Sequence, residues 1–99
     1  MEKRESKTIR SMAGILGTLT NKAGSAAQVR FSLIETQQFV DGFPTLKTAE
    51  GTLEFMNIAA AYRMLTAPET KTLKGGGIQA EVSITTEDSF SVIGEVKNI

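Results

Sequence analysis

The stretch TLEFMNIAAAYRML, from Thr52 to Leu65, carries the longest helical pattern in the chain. Its apolar side chains recur at three- and four-residue spacing in two adjoining lines, Leu53, Met56, Ala60 and Met64 beside Phe55, Ile58, Tyr62 and Leu65. A stripe of this width predicts a helix largely buried against a sheet. Thr48 precedes the helix as a candidate N-cap, and Pro68 ends it. We therefore predict one helix within a series of strands.

Strand patterns lie on both sides of this helix. We predict strands over residues 11–20, 27–36, 37–47, 78–85 and 90–97. Residues 78–85 alternate strictly between apolar and polar side chains, which is typical of a half-buried strand, and a turn over residues 86–89 leads back into the last strand to form a hairpin. Residues 67–77 end in three consecutive glycines, and we predict that they form a mobile loop.

The first predicted strand also admits a helical interpretation. The helical spacing fits four apolar residues, Ile9, Met12, Leu16 and Leu19. Against it, Gly14 and Gly17 would each cost about 1 kcal/mol relative to alanine in a helix. With a strand here, the order β-β-β-α-β-β is that of the OB-fold, a five-stranded Greek-key barrel. A helix over residues 7–19 would instead give an α+β layered sheet with an N-terminal helix.

The composition indicates one globular domain of 99 residues, 40% hydrophobic and 22% charged. We divide it into a flexible polar N-terminal arm, residues 1–8, and a single OB-like domain, residues 9–99. The chain contains no cysteine and no histidine, which excludes disulfides, Ser-His-Asp triads and zinc sites built on imidazole. We expect no cofactor, no metal and no enzymatic activity.

No apolar run approaches the roughly 18 residues that a membrane span requires. Lys3 and Arg4 precede a moderately apolar stretch, as in a secretory signal, but glycine and hydroxyl residues dilute that stretch. We therefore expect a cytoplasmic protein without a membrane partner.

The charges are unevenly distributed although the net charge is zero. Residues 1–30 carry six basic and two acidic side chains, whereas residues 31–99 carry five basic and nine acidic ones. A basic first third favours an anionic partner. A solvated charged tail is the alternative explanation.

Three short stretches match motifs of one family. Gly17-Thr-Leu-Thr20 stands where that family ends its first strand with Gly-x-Leu-Thr, and Val29-Arg-Phe-Ser-Leu33 is one residue shorter than its Val-x-x-Phe-x-Leu. Leu73-Lys-Gly-Gly-Gly-Ile is similar to its Leu-Lys-x-Gly turn. The chain thus resembles the bacterial single-stranded DNA-binding proteins and their relative, the primosomal replication protein N, although it lacks a tryptophan for base stacking. The resemblance implies an OB-fold that binds single-stranded nucleic acid.

Binding a single strand requires cations beside the phosphates and flat side chains that stack on bases. In an OB-fold these lie on strands two and three and on the loops that join strands one to two and four to five. The predicted nucleic-acid-binding residues are Arg10, Lys22, Arg30, Phe39, Phe43, Lys47, Lys71 and Lys74. We assign Phe31 to the core, and we expect Glu87 and Asp88 in the last loop to repel phosphate.

We therefore predict a non-catalytic module that engages single-stranded DNA or RNA, as a homo-oligomer. The competing hypothesis is a protein–protein interaction module, either an assembly or virion subunit or an inhibitor of another protein. It is favoured by the zero net charge, by an aromatic content of 6%, and by an edge over Val92–Val96 that can pair with a partner strand.

Overall fold

The computed structural model describes residues 2–66 and 68–99, which form antiparallel strands and one helix. In chain order the elements are β1 (Arg4–Thr20), β2 (Ala26–Val40), β3 (Phe43–Phe55), α1 (Ile58–Thr66), β4 (Lys71–Gly75), β5 (Ile78–Thr86) and β6 (Ser89–Asn98). The strands lie in the order β1-β2-β3-β6-β5-β4, and β4 pairs with β1, so the sheet closes into a ring. The mostly β character with a single helix is confirmed, but the sheet has six strands instead of the predicted five.

The first twenty residues contain a strand and no helix. β1 pairs with β2 from Arg4 opposite Val40 to Thr20 opposite Ala26, so the alternative with an N-terminal helix is wrong. Residues 4–8, predicted to belong to the flexible polar segment 1–8 at the N-terminus, are part of this strand. Register shifts after Thr8 and Met12 each insert one extra residue into β1. Such bulges break strict alternation, which explains why a helical spacing also fitted the apolar residues.

β2 and β3 form one long hairpin, so the predicted third strand over 37–47 is wrong. Asp41 and Gly42 have φ values of 51° and 84°, as the two central residues of a tight hairpin turn require. The carboxylate of Asp41 accepts the backbone N–H of Lys3 at 2.9 Å, which ties the turn to the start of β1. The turn thus ends one strand and begins the next, where a single bent strand was predicted.

Only the second half of the stretch 52–65 is helical. Residues 52–55 complete β3, where Leu53 is buried between the exposed Thr52 and Glu54. Burial thus alternates with the two-residue period of a strand. The apolar residues after Phe55 extend a helical spacing back over this segment, so the strand period is not evident from the sequence. Pairing with β2 over 29–32 therefore overrides the helical spacing.

α1 begins after Asn57, and the prediction of Thr48 as its N-cap is wrong. The side-chain oxygen of Asn57 accepts the N–H of Ala60 at 3.1 Å, as an N-cap does. Ala60 and Met64, four residues apart, are buried in the core of the ring. The helix therefore contributes one face to the core.

β4 lies inside the segment 67–77, which was predicted to be a loop. It pairs with residues 17–20 of β1 on one side and with β5 on the other, so it closes the ring. The last two glycines of the run make the turn that joins β4 to β5. The predicted final hairpin is confirmed as β5 and β6.

The core fills the closed part of the ring, and Phe31 lies within it at 1% exposure, as predicted. The ring of Phe31 lies against Gly17 of β1. A Cβ atom on Gly17 would stand 2.5 Å from the carbonyl oxygen of Lys74 and 2.8 Å from Phe31 Cε1. Glycine at this position therefore allows β1 and β4 to approach each other closely beside the aromatic ring.

Three strands extend beyond the ring. β4 pairs with β1 only through residues 17–20, and β6 pairs with β3 only through residues 50–52. We call residues 4–10 and 36–48 the arm; it is a three-stranded continuation of β1, β2 and β3. The molecule is consequently elongated, with extents of 52 × 24 × 21 Å.

Candidate nucleic-acid interface

The eight residues predicted to bind nucleic acid are divided among different parts of the molecule. We call the end of the ring where β4 pairs with residues 17–20 of β1 the closed end. Lys22, Arg30 and Lys74 lie at this end, and Phe39, Phe43 and Lys47 lie in the arm. Arg10 lies at the base of the arm, and Lys71 lies in the interior. No single surface therefore presents all eight.

Arg30 and Lys74 lie on the outer side of the ring, on either side of β1. Arg30 of β2 is opposite Leu16, and Lys74 of β4 is opposite Thr18. Both cations are exposed, whereas their sequence neighbours Val29 and Leu73 are buried in the core. Because side chains alternate along a strand, Arg30 and Lys74 point outward. The two cations therefore flank one short section of β1.

Lys97, which the sequence reasoning missed, extends this group. Lys74 lies opposite Gln79 of β5, and Gln79 lies opposite Lys97 of β6. Directly opposed residues of antiparallel strands share a face, so both lysines point outward. We call these three cations, Arg30, Lys74 and Lys97, together with Lys22 in the adjoining β1–β2 turn, the basic face. No sequence pattern links Lys97 to Lys74, because the link depends on the register of three strands.

A groove of about 370 Å³ crosses the outer side of β1 and β2 beside Arg30. Its lining consists of Leu16, Gly17, Thr18, Gln28, Val29, Arg30 and Met56. None of these described residues carries a carboxylate. Leu16 and Met56 are exposed, so they offer apolar surface for a base next to a guanidinium that can pair with phosphate.

Three carboxylates lie near the basic face. Glu54 is opposite Arg30 in the register of β3. The Glu81 carboxylate accepts the hydroxyl of Thr72 at 2.6 Å, and the Glu69 carboxylate accepts the backbone N–H of Lys22 at 3.2 Å. Their negative charges partly cancel the charge of the four cations. We therefore expect these carboxylates to weaken the electrostatic attraction between the basic face and a single-stranded nucleic acid.

A second groove, of about 420 Å³, lies over β2, β3 and β6, on the strands where the predicted OB-fold was expected to bind its ligand. Most of its polar lining is hydroxyl-bearing: Ser32, Thr36, Thr48, Thr52, Thr85, Ser89 and Ser91. Its one charged lining residue, among those described, is Glu50. The groove therefore offers hydrogen bonds without neutralising phosphate.

Arg10 is partly exposed and Lys71 is buried, and both are bonded to other groups of the protein. Arg10 Nε lies 3.3 Å from a carboxylate oxygen of the buried Glu35, and its guanidinium donates to the side chain of Asn98 at 2.9 Å. Lys71 is 2% exposed, and its ammonium donates to the carbonyl oxygen of Glu69 at 2.8 Å. Burial lowers the pKa of Lys71, and the Glu69 carboxylate partly opposes that shift. The prediction of Lys71 as a surface cation is therefore wrong.

The aromatic rings of the arm do not form one stacking platform. Phe43 is 72% exposed and lies opposite Val40, whose face it shares. Phe39 precedes Val40 in the strand, so it points to the other face and is half-buried. Lys47 lies opposite Gln37, which in turn lies opposite Lys7 of β1.

α1 is less buried than predicted, since only one of its faces enters the core. Ile58, Tyr62 and Leu65 are 90%, 73% and 39% exposed. Their spacing of four and then three residues places them on one side of the helix. The exposed side of α1 is therefore apolar.

Residues 2–66 and 68–99 contain no group of three or more acidic, histidine or cysteine side chains arranged to hold a metal ion. α1 spans nine residues, and the described part of the chain has no helix with the length and apolarity to cross a membrane. A scan against protein-family models finds no match, and searches of curated proteins and of solved structures find none either.

Proposed function

We propose that the protein is a non-catalytic OB-fold module that binds single-stranded DNA or RNA along its basic face. Two features support the fold assignment: a ring in which β1 pairs with both β2 and β4, and a helix between β3 and the returning strands. The observation that carries the function is the position of Arg30 and Lys74 on both sides of β1, beside a groove without carboxylates.

In this proposal the single-stranded nucleic acid crosses the outer side of the closed end of the ring. Arg30, Lys74 and Lys97 neutralise phosphates, and Lys22 in the β1–β2 turn adds a further cation. Each neutralised phosphate releases bound counterions, so three or four contacts give a log–log salt slope of about −2 to −3. Because the groove contains no aromatic ring, we expect little discrimination among bases.

The experiment is fluorescence anisotropy of labelled oligo-dT over a range of salt concentrations. The double variant Arg30→Ala/Lys74→Ala should bind about tenfold more weakly, with a salt slope about 1.4 smaller in magnitude. The matched control Lys7→Ala/Lys47→Ala removes the same charge from the arm and should change affinity less than twofold. The proposal fails if the native protein shows no salt-sensitive binding, or if the arm variant loses more affinity than the basic-face variant.

A second candidate function, protein–protein interaction, is favoured by the exposed apolar side of α1. Ile58, Tyr62 and Leu65 are exposed on one side of α1, and apolar side chains exposed together on a surface mark interaction sites. A second copy of the chain is an occupant that this face suits, because two uncharged helix faces pack against each other without burying a charge.

Light scattering after size exclusion tests this candidate. Ile58→Ser/Tyr62→Ser should convert a concentration-dependent dimer into a monomer, whereas Arg63→Ala, on the same helix, should leave the dimer intact. A native protein that stays monomeric at the highest soluble concentration would eliminate self-association through α1.

A further inference from the structure

β3 and β6 pair over three residues and then separate. Residues 50–52 of β3 lie opposite residues 89–91 of β6. Beyond this contact, residues 43–49 continue along β2, while residues 92–98 follow β5. The two strands therefore diverge and leave an opening between residues 43–49 and 92–96, which we call the seam.

Two cavities, of about 460 and 570 Å³, occupy the seam. Apart from Gln37 of β2, their linings come from β3 and β6: Pro44, Thr45, Leu46, Lys47, Thr48, Ala49 and Glu50 from β3, and Ser91, Val92, Gly94 and Glu95 from β6. Ala49 is buried and Val92 is half-buried at the narrow end, whereas Lys47 and Glu95 are exposed at the wide end. At the narrow end the apolar side chains of Ala49 and Val92 therefore lie beside Glu50 and Ser91, and the wide end carries one ammonium and one carboxylate.

Each side of the seam is the edge of a strand. Among the described residues, 43–49 have no ladder partner on the side away from β2, and 92–96 have none on the side away from β5. A register shift opposite residues 79–81, with Gly94 at φ 79°, marks a bulge that turns β6 away from β3. Unpaired N–H and C=O groups along such edges are satisfied by another extended backbone.

We propose that the seam accepts an extended peptide segment of a partner protein, which adds as a strand between β3 and β6. Two edges that face one opening suit one strand, because that strand can form ladders on both of its sides. Ala49 and Val92 at the narrow end favour a small apolar side chain above them. The ammonium of Lys47 favours an acidic side chain opposite it.

A second copy of this chain suits the seam less well. Antiparallel pairing of two β3 edges centred on Lys47 would place two ammonium groups opposite each other, which destabilises a sheet. Pro44 also removes one N–H donor from the outer end of the same edge. This register of a second copy is therefore disfavoured, and we assign the partner strand to a different protein.

The test uses a blocked hexapeptide, Thr-Val-Thr-Glu-Val-Thr, and backbone amide NMR shifts of the full chain. We expect saturable shifts at millimolar peptide, centred on residues 45–49 and 92–95. The matched control is the same peptide N-methylated at alternate residues, which keeps the side chains and removes ladder donors; it should cause no shifts.

A charge exchange distinguishes strand addition at the seam from non-specific contact. Lys47→Glu should weaken binding of the hexapeptide about fivefold, corresponding to about 1 kcal/mol for one cross-strand pair. Replacing the peptide glutamate by lysine should restore the affinity for that variant. The proposal is overturned if the unmodified peptide causes no saturable shifts, if the N-methylated peptide binds equally well, or if the shifts lie on α1 or the basic face.

Discussion

The closed end of the ring and the arm are built from the same three strands, yet their inward faces differ in burial. At the closed end, β4, β5 and α1 cover the inward side chains, and Val29 and Phe31 of β2 are almost fully buried. In the arm no fourth strand is present among the described residues, and residues 43–48 of β3 are all exposed. β3 therefore packs against the core along one half and forms an unpaired strand edge along the other.

This difference separates stability from partner binding. The closed end contains the apolar core, so the free energy of unfolding should depend mainly on its side chains. The arm contributes unpaired strand edges, which cost little to alter and are available to a partner. Substitutions of the same chemical kind in the two regions should therefore have very different effects.

The largest expected effect is the contrast between two phenylalanines. Phe31→Ala at the closed end should lower the free energy of unfolding by about 3–5 kcal/mol, because it empties a buried site beside Gly17. Phe43→Ala at the tip of the arm should change it by less than about 0.5 kcal/mol, since that ring is mostly exposed. Urea unfolding of both variants measures the contrast, and equal losses would contradict the division into two regions.

The next effect concerns the ion pair at the base of the arm. Arg10→Met should lower the free energy of unfolding by about 2–3 kcal/mol, because it leaves the carboxylate of Glu35 buried without its partner. The double variant Arg10→Met/Glu35→Met should recover most of that loss. Arg4→Met, which removes an exposed ion pair with Glu2, should cost less than about 0.5 kcal/mol in the same urea assay.

If Arg10→Met is no more costly than Arg4→Met, the base of the arm is not held by this pair. The arm would then be attached to the ring by strand pairing alone.

The smallest expected effect is the pH dependence contributed by Lys71. Burial lowers its pKa from the ordinary value of 10.5, so between the lowered pKa and 10.5 the unfolded chain binds more protons than the folded one. Stability should therefore rise with pH through that window, and the cost of the buried ammonium is fully present below it. Lys71→Met should raise the free energy of unfolding at pH 7 by about 1 kcal/mol and abolish this rise.

Lys74→Met is the control for Lys71→Met, because Lys74 lies in the same strand but is exposed. It should change stability by less than about 0.5 kcal/mol at either pH. Urea midpoints at pH 7 and pH 10 suffice, and a stability gain from Lys71→Met that is larger at pH 10 would contradict the assigned sign.

The sequence patterns predict elements whose signal is local. The hairpin of β5 and β6 follows from the strict alternation along β5 and the turn residues after it, and the core position of Phe31 follows from its spacing between Val29 and Leu33. The helix is found but begins too early, because residues 52–55 satisfy both a helical and a strand period. The cap at Asn57 decides between them only once the pairing of β3 with β2 is known.

Features that depend on long-range pairing are not predicted. β4 is a strand because β1 and β5 lie on both sides of it, whereas its own sequence, Lys71–Gly75, resembles a loop. The proximity of Lys97 to Lys74 and the burial of Lys71 depend on the same register. Charge alone therefore identified cations without showing which of them share a surface.

Amide NMR shifts of the full chain on addition of oligo-dT test most directly whether the closed end binds nucleic acid. We expect salt-sensitive shifts at Leu16, Thr18, Gln28, Arg30 and Lys74, with the arm residues 41–48 unchanged. Shifts confined to the arm, or no shifts at low salt, would contradict it.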